Sequence, residues 1–158
     1  NDSARLSMEL QKLALHAESH GHERISAKAV QSLVEGQATN ALAVGDALLE
    51  GDAGGAIGLL DALIDAGEPA LRIVATLTGQ IRGWLWVLLL EQQGERDVAV
   101  IAKAAGIGNP KRIYVMRKQL HGRNPKRLLS LLGRLLEVEA LLKRGALARD
   151  AFREGLLG

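Results

Sequence analysis

The apolar residues of this chain recur at helical spacing in every long segment, and glycines separate one segment from the next. Leucine and alanine, which favour helix, number 29 and 23 among the 158 residues, whereas β-branched and aromatic residues are scattered. No stretch shows the sustained period-two alternation of a half-buried strand. The sequence therefore predicts an all-α protein, long enough for one domain or for one domain with part of another.

From residue 40 onward the pattern predicts a bundle of antiparallel helices joined by short turns. The helices are expected near residues 40–50, 52–66, 69–93, 97–105, 110–120, 125–144 and 148–157. All three prolines fit the first position of a helix. Five glycines stand where a helix needs a left-handed residue to end, namely Gly51, Gly67, Gly94, Gly106 and Gly145. Two shorter helical stripes precede a boundary near Gly36.

The residue types that carry metal and thiol chemistry do not form a convincing site. The chain contains no cysteine, which excludes disulfides, thiolate metal ligands and thiol nucleophiles. His16, His20 and His22 lie close together, but no motif such as HExxH accompanies them. A solvated helix end is favoured over a metal site at these histidines. We expect no metal, no cofactor and no catalytic residue in this sequence.

A cluster of glycines superficially suggests a phosphate-binding loop. The residues are Gly51, Gly54, Gly55 and Gly58. No strand precedes them and no GK[ST] follows, so the mechanics of a nucleotide-binding loop are absent. We interpret Asp52 as a helix cap and the glycines as sites of close helix packing.

Two predicted helices carry more apolar surface than one neighbour can cover. Residues 84–90 (WLWVLLL) are apolar around the whole helix circumference, and the helix from Lys126 is similar. The first helix is either central in the bundle or covered by another subunit. Candidate subunit-interface residues are Trp84, Trp86 and Leu89, with the small residues Gly79 and Gly83. No run approaches the ~18 apolar residues of a membrane span, so no membrane is expected.

The charged residues are unevenly distributed along the chain. Up to Gly79 there are 5 basic and 11 acidic residues, and after it 15 and 7, so the halves carry −6 and +8. Nine basic residues and no acidic one lie between residues 98 and 136. Such an asymmetry suggests an anionic partner for the second half.

The tetrapeptide Asn-Pro-Lys-Arg occurs twice in this basic segment, at 109–112 and 124–127, at predicted helix starts. Cations there oppose the helix dipole by about 0.3–1 kcal/mol per charge, and a bound phosphate would explain their placement. Alternatively, exposed charges cost little and merely keep a leucine-rich domain in solution. Any contact would be to phosphates and not to bases, since aromatic platforms are missing apart from Tyr114. The DNA-phosphate candidates are Lys111, Arg112, Lys118, Arg123, Lys126 and Arg127.

Seven short motifs of the chain stand in the order and spacing of a known family. They are MELQKLAL at 8–15, ISAKAV at 25–30, GDALLEGD at 45–52, LLDAL at 59–63, GEP at 67–69, LTGQIR at 77–82 and EALLKRG at 139–145. Together they resemble the C-terminal part of the delta subunit family of bacterial DNA polymerase III, over essentially the whole chain. Many relatives have Thr where this chain has Arg144. Delta belongs to the clamp loader, a five-subunit ring, related to the AAA+ ATPases, that places the sliding clamp on primed DNA.

The resemblance implies a division of the chain into two parts. Residues 1–36 resemble the end of a helical lid domain, and residues 37–158 resemble the helical collar domain that joins the subunits into a ring. Expected partners are the ATPase subunits and a delta-prime-like subunit, with primed DNA as a further candidate. The family binds the sliding clamp through an N-terminal module outside this sequence. The chain is therefore expected to be a non-catalytic piece of a longer protein. That protein is expected in the cytoplasm, associated with the nucleoid.

A second interpretation of the same residues does not involve replication. An all-helical adaptor that binds RNA, or another interaction domain, would also show a basic half and surplus apolar helix surface. It would be distinguished by its partners, which would be ribosomal or transcription factors in place of clamp-loader subunits.

Overall fold

The computed structural model describes Lys28 and residues 40–157, and residues 40–157 contain helices and turns but no strand. This confirms the all-α prediction. Lys28 is helical, and the rest of residues 1–36, including the histidine cluster, lies outside the described residues. The helices are α1 (40–50), α2 (Ala53–Asp65), α3 (Ala70–Gln92), α4 (Val98–Ala105), α5 (Arg112–Leu120), α6 (Pro125–Lys143) and α7 (Ala148–Phe152), followed by a π-helical turn (Arg153–Leu157).

The helix ends follow the predicted stop and start signals closely. All five predicted stop glycines have positive φ, as does Gly122. The side chains of Asp52, Asp97 and Asn124 accept hydrogen bonds from backbone N–H groups of α2, α4 and α6, each at 2.9 Å. These caps satisfy donors that a helix start leaves free.

The prediction that every proline occupies a first helical position holds for Pro125 and is wrong for the other two. Pro69 keeps an extended backbone, with ψ at 129°, so α3 begins one residue later. Pro110 lies in a tight turn, where the N–H groups of Arg112 and Ile113 bond three residues back, and α5 begins at Arg112.

The interpretation of the glycine cluster is partly confirmed. Asp52 caps α2 by accepting from the N–H of Gly55, where a Cβ would collide with the Asp52 carboxylate. The prediction of close helix packing is wrong for Gly54 and Gly58. A Cβ at Gly58 would meet no described atom within 4 Å, and one at Gly54 would only touch the Asp52 carboxylate at 4.0 Å.

Helix α3 is the centre of the bundle. It packs along α6 and also contacts α4 and α5. Its buried residues include Ile73, Leu77, Ile81, Trp84 and Leu88. By length and composition alone α3 could cross a membrane, with a mean hydropathy of 1.5, and 44% of that apolar stretch is buried inside the domain. The core helix of a bundle meets the same criteria.

Candidate functional site

One side of α3 remains exposed although its residues are largely apolar. The exposed apolar residues are Leu71, Ala75, Gly79, Trp86 and Leu89, which we call the α3 stripe, and the exposed Arg82 lies among them on the same face. Their spacing of four, four, seven and three residues places them on one face of the helix. Leu71 and Trp86 are each 44% exposed and Leu89 is 39% exposed. Exposed apolar side chains clustered on one face of a helix, bordered by polar residues, are typical of an interaction surface.

The predicted interface residues separate onto two sides of α3. Trp86, Leu89 and Gly79 lie on the exposed face. Trp84 is only 2% exposed, and its indole Nε1 donates to Gln119 Oε1 at 3.2 Å, so it packs inside this domain. Gly83 is buried as well, beside Met116.

The α3 stripe borders a groove of about 710 Å³. One wall is α3, the other is α5, and the C-terminal end of α4 and its following loop close one side. Two residues of α1, Leu42 and Asp46, also line it. A volume of this size is in the range of natural binding clefts, which run from roughly 300 to 1,000 Å³.

Two glycines of α3 create the depth of this groove. A Cβ at Gly83 would lie 3.6 Å from Met116 Cε and 4.0 Å from Ile107 Cδ1, which is ordinary contact. A Cβ at Gly79 would meet no described atom within 4 Å. The missing side chain at Gly79 therefore leaves open space along the exposed edge of α3.

A polar network lies at the α1 side of the groove. Gln80 Nε2 donates to the Leu42 carbonyl at 2.9 Å and to Asp46 Oδ1 at 3.2 Å. Gln119 Nε2 donates to the same Asp46 oxygen at 3.1 Å. The absence of a side chain at Gly45 lets the Gln80 amide lie against the backbone of α1. The network thus joins α1, α3 and α5.

The pKa of Asp46 is raised above its ordinary value of 3.8. Burial is the largest cause, and the charge of Glu50 adds to it, while the hydrogen bond from Gln119 opposes both. An acid whose folded pKa is raised binds its proton more tightly in the folded state. Its ionisation therefore lowers stability as the pH rises from the unfolded pKa through the folded one.

Changing Asp46 separates its role as an acceptor from its charge. Asp46→Ala leaves two partly buried amides short of an acceptor and should lower the free energy of unfolding by about 1–3 kcal/mol. Asp46→Asn keeps the acceptor oxygen and removes the charge, so its stability relative to the wild type should increase as the pH rises above about 4. Urea unfolding of the three proteins at several pH values measures both effects. A constant difference between the Asn variant and the wild type would contradict this account.

Four of the six DNA-phosphate candidates are exposed side chains that make neither an ion pair nor a side-chain hydrogen bond to another of residues 40–157. They are Lys111, Arg112, Lys118 and Lys126. Lys111 and Lys118 lie seven residues apart on one face of the α5 region, and Arg112 lines the groove. Lys126 lies in the first turn of α6.

The other two candidates contact the C-terminal end of α1. Arg127 Nη2 donates to the Leu48 carbonyl at 3.1 Å, and Arg123 Nη2 lies 3.6 Å from the Glu50 carboxylate. A cation at a helix C-terminus complements the helix dipole. The fold therefore does have a reason to place Arg127 at this helix start, contrary to the argument from the dipole of α6 alone.

The sequence did not reveal which groups contact the arginines of the basic segment, residues 98–136. Arg117 pairs with Glu91, which lies outside the segment, and Arg134 Nη1 donates to the Leu156 carbonyl at 2.8 Å. The groove itself was also missed. Its sequence signal was the polar pair Gln80 and Arg82, directly before the all-apolar stretch of residues 84–90.

The surplus apolar surface predicted for the helix that includes Lys126 is also exposed in the structure. Helix α6 exposes Leu129 and Leu136, with the exposed Gly133 between them on the same face.

Between residues 40 and 157 no group of three or more His, Asp or Glu side chains could hold a metal ion.

Comparison with known proteins identifies the family. A model of the family described as DNA polymerase III delta subunit, C-terminal domain, matches residues 38–157. No curated protein and no solved structure gave a match. The family match spans well over half of the chain and includes all seven helices described above. The chain therefore belongs to the DNA polymerase III delta subunit family, of which it contains the C-terminal domain.

Proposed function

We propose that residues 37–158 form a collar domain that holds this subunit in the clamp-loader ring by burying the α3 stripe against a neighbouring subunit. The exposed apolar face of α3 is the observation that carries this proposal. A helix that is central to the bundle of residues 40–157 and still exposes Leu71, Trp86 and Leu89 gains further burial from a surface beyond those residues, which a partner supplies. Membership of the delta family supports a clamp-loader neighbour as that partner.

The partners in this proposal are the ATPase subunits and the delta-prime-like subunit. Residues 1–36 belong to a lid domain, and contact with the sliding clamp is made by an N-terminal module outside this sequence. The domain contributes assembly and no catalysis to the polymerase holoenzyme. A replication subunit of this family works in the cytoplasm, at the nucleoid. The family match favours this function over an RNA-binding adaptor.

Co-elution tests the assembly function. The full-length subunit, mixed with the ATPase subunit of the same organism, should elute from a size-exclusion column as one complex. Separate peaks at micromolar concentrations of both proteins would contradict the proposal. Co-elution of ribosomal or transcription factors from the host, without clamp-loader subunits, would favour the adaptor.

A second proposed function is contact with the phosphates of primed DNA. It is supported by Lys111, Arg112, Lys118 and Lys126, which are exposed and make neither an ion pair nor a side-chain hydrogen bond to another of residues 40–157. Each phosphate contact releases condensed counterions, which makes binding depend steeply on salt. Among residues 40–157 the exposed aromatic side chains are Trp86 and Tyr114, so few bases could stack on this surface and contact with phosphates predominates.

Reversing these charges should weaken DNA binding and its salt dependence together. The variant Lys111→Glu/Lys118→Glu/Lys126→Glu should bind primed DNA at least about tenfold more weakly than the wild type at low salt, with a smaller salt slope. Arg144→Glu, at the opposite end of α6, is the matched control. Titration of fluorescent primed DNA at two salt concentrations measures both quantities. Equal binding by the triple variant and the wild type would end this proposal.

A further inference from the structure

The groove beside the α3 stripe has a positive rim. Arg82 of α3 and Arg112 of α5 both line it and both are exposed. Neither guanidinium pairs with a carboxylate between residues 40 and 157. Asp46 is the one acidic lining residue, and it already accepts hydrogen bonds from two amides. The groove therefore offers two guanidinium groups to a ligand and no free carboxylate.

The walls of the groove away from the polar network present apolar side chains and suit a helix. From Gly79 to Trp86 the exposed edge of α3 rises about 10 Å, or two helical turns. The opposite wall presents Met116 and Val115, and Val115 is 60% exposed. Because Gly79 has no side chain, the backbone of another helix can approach α3 closely at that point.

We propose that this groove binds an amphipathic helix of the neighbouring clamp-loader subunit, whose apolar side chain enters beside Gly79 and whose Asp or Glu residues pair with Arg82 and Arg112. This inference rests on the proposed collar function and names the partner's chemistry. The pairing uses charge complementarity across an interface, which fixes register and partner choice more than raw affinity. The groove is continuous with the α3 stripe, because Gly79 and Trp86 belong to both.

A protein helix is favoured over single-stranded DNA by the surroundings of the groove. Trp86 beside two arginines could stack on a base. However, Leu71, Ala75 and Leu89 extend the same exposed face in both directions with apolar side chains. A nucleic acid backbone would leave this extension uncovered, whereas a second helix along α3 would bury it.

Filling the groove provides a test that does not depend on unfolding the domain. In Gly79→Leu the new side chain occupies open space, and leucine favours helix over glycine. The melting temperature should be equal or higher, while the affinity of the full-length subunit for the other clamp-loader subunits should fall at least about tenfold. Gly58→Leu is the matched control, because Gly58 is also an exposed mid-helix glycine facing open space. Normal assembly by Gly79→Leu would overturn the inference.

The charge of the proposed partner is tested through salt dependence. Arg82→Gln/Arg112→Gln should weaken assembly and reduce its dependence on salt, whereas Arg82→Lys/Arg112→Lys should retain most of both. An unchanged salt dependence in the glutamine variant would overturn the charge pairing. Titration of a single-stranded oligonucleotide runs in parallel, and a loss confined to oligonucleotide binding would reassign the groove to DNA.

One further variant separates the inference from the function on which it rests. Leu71→Glu/Leu89→Glu alters the α3 stripe outside the groove, since neither residue lines it. Loss of assembly in this variant with normal assembly of Gly79→Leu would contradict the groove and support the collar. Normal assembly of both would contradict the collar as well.

Discussion

Trp84→Ala should lower the free energy of unfolding by about 3–5 kcal/mol, the usual cost of truncating a buried tryptophan. The indole is 2% exposed and packs where α3 meets α5. Its removal leaves unfilled space where α3 meets α5, beside the groove, and deprives Gln119 Oε1 of its donor. Few single changes in this domain should be more damaging.

The matched control for this change lies two residues away. Trp86 has the same side chain on the same helix but is 44% exposed. Trp86→Ala should change the free energy of unfolding by less than about 1 kcal/mol. Guanidinium unfolding followed by circular dichroism measures both variants. Similar losses from the two would contradict the assignment of Trp84 to the core and Trp86 to the surface.

The double change Leu71→Glu/Leu89→Glu should have the largest effect on assembly. Each glutamate would place a carboxylate within the proposed interface, one at each end of the α3 stripe, at a cost of about 2 kcal/mol or more. If the two effects add, the affinity for the neighbouring subunit falls by close to a thousandfold, about 4 kcal/mol. Both side chains are exposed in the isolated domain, so its own stability should change by less than about 0.5 kcal/mol per site.

Binding measurements with immobilised neighbouring subunit determine this affinity. Leu147→Glu is the control, because Leu147 is strongly exposed and lies outside the α3 stripe. It should bind like the wild type. Equal binding by the double variant and this control would contradict the proposal that α3 lies in the interface.

Local signals made the secondary structure predictable. The stop glycines and the caps at Asp52, Asp97 and Asn124 act within one turn of chain, so the sequence alone locates the helix ends. The two helix starts that differ, at Pro69 and Pro110, depend on backbone torsions that composition does not reveal.

The division of α3 into a buried and an exposed side could not be predicted in the same way. Residues 84–90 are apolar all round, so periodicity gives no preferred face. Trp84 and Trp86 therefore looked equivalent in sequence, and only the packing of α5 and α6 distinguishes them.

The basic segment shows the same dependence on tertiary contacts. In sequence Arg127 is a cation at the unfavourable end of α6, but the fold brings it to the C-terminal carbonyls of α1, 79 residues away along the chain. The groove requires α1, α3, α4 and α5 together, and no local pattern contains that juxtaposition.

Site-specific crosslinking tests the central claim, that the exposed face of α3 binds a neighbouring clamp-loader subunit. The 158 residues contain no cysteine, so Leu89→Cys and Leu147→Cys each introduce a single thiol into this domain for a photoreactive label. In the assembled clamp loader, the label at position 89 should crosslink to another subunit, and the label at position 147 should not. An assembled loader in which position 89 gives no intersubunit crosslink, or no more than position 147, would contradict the claim.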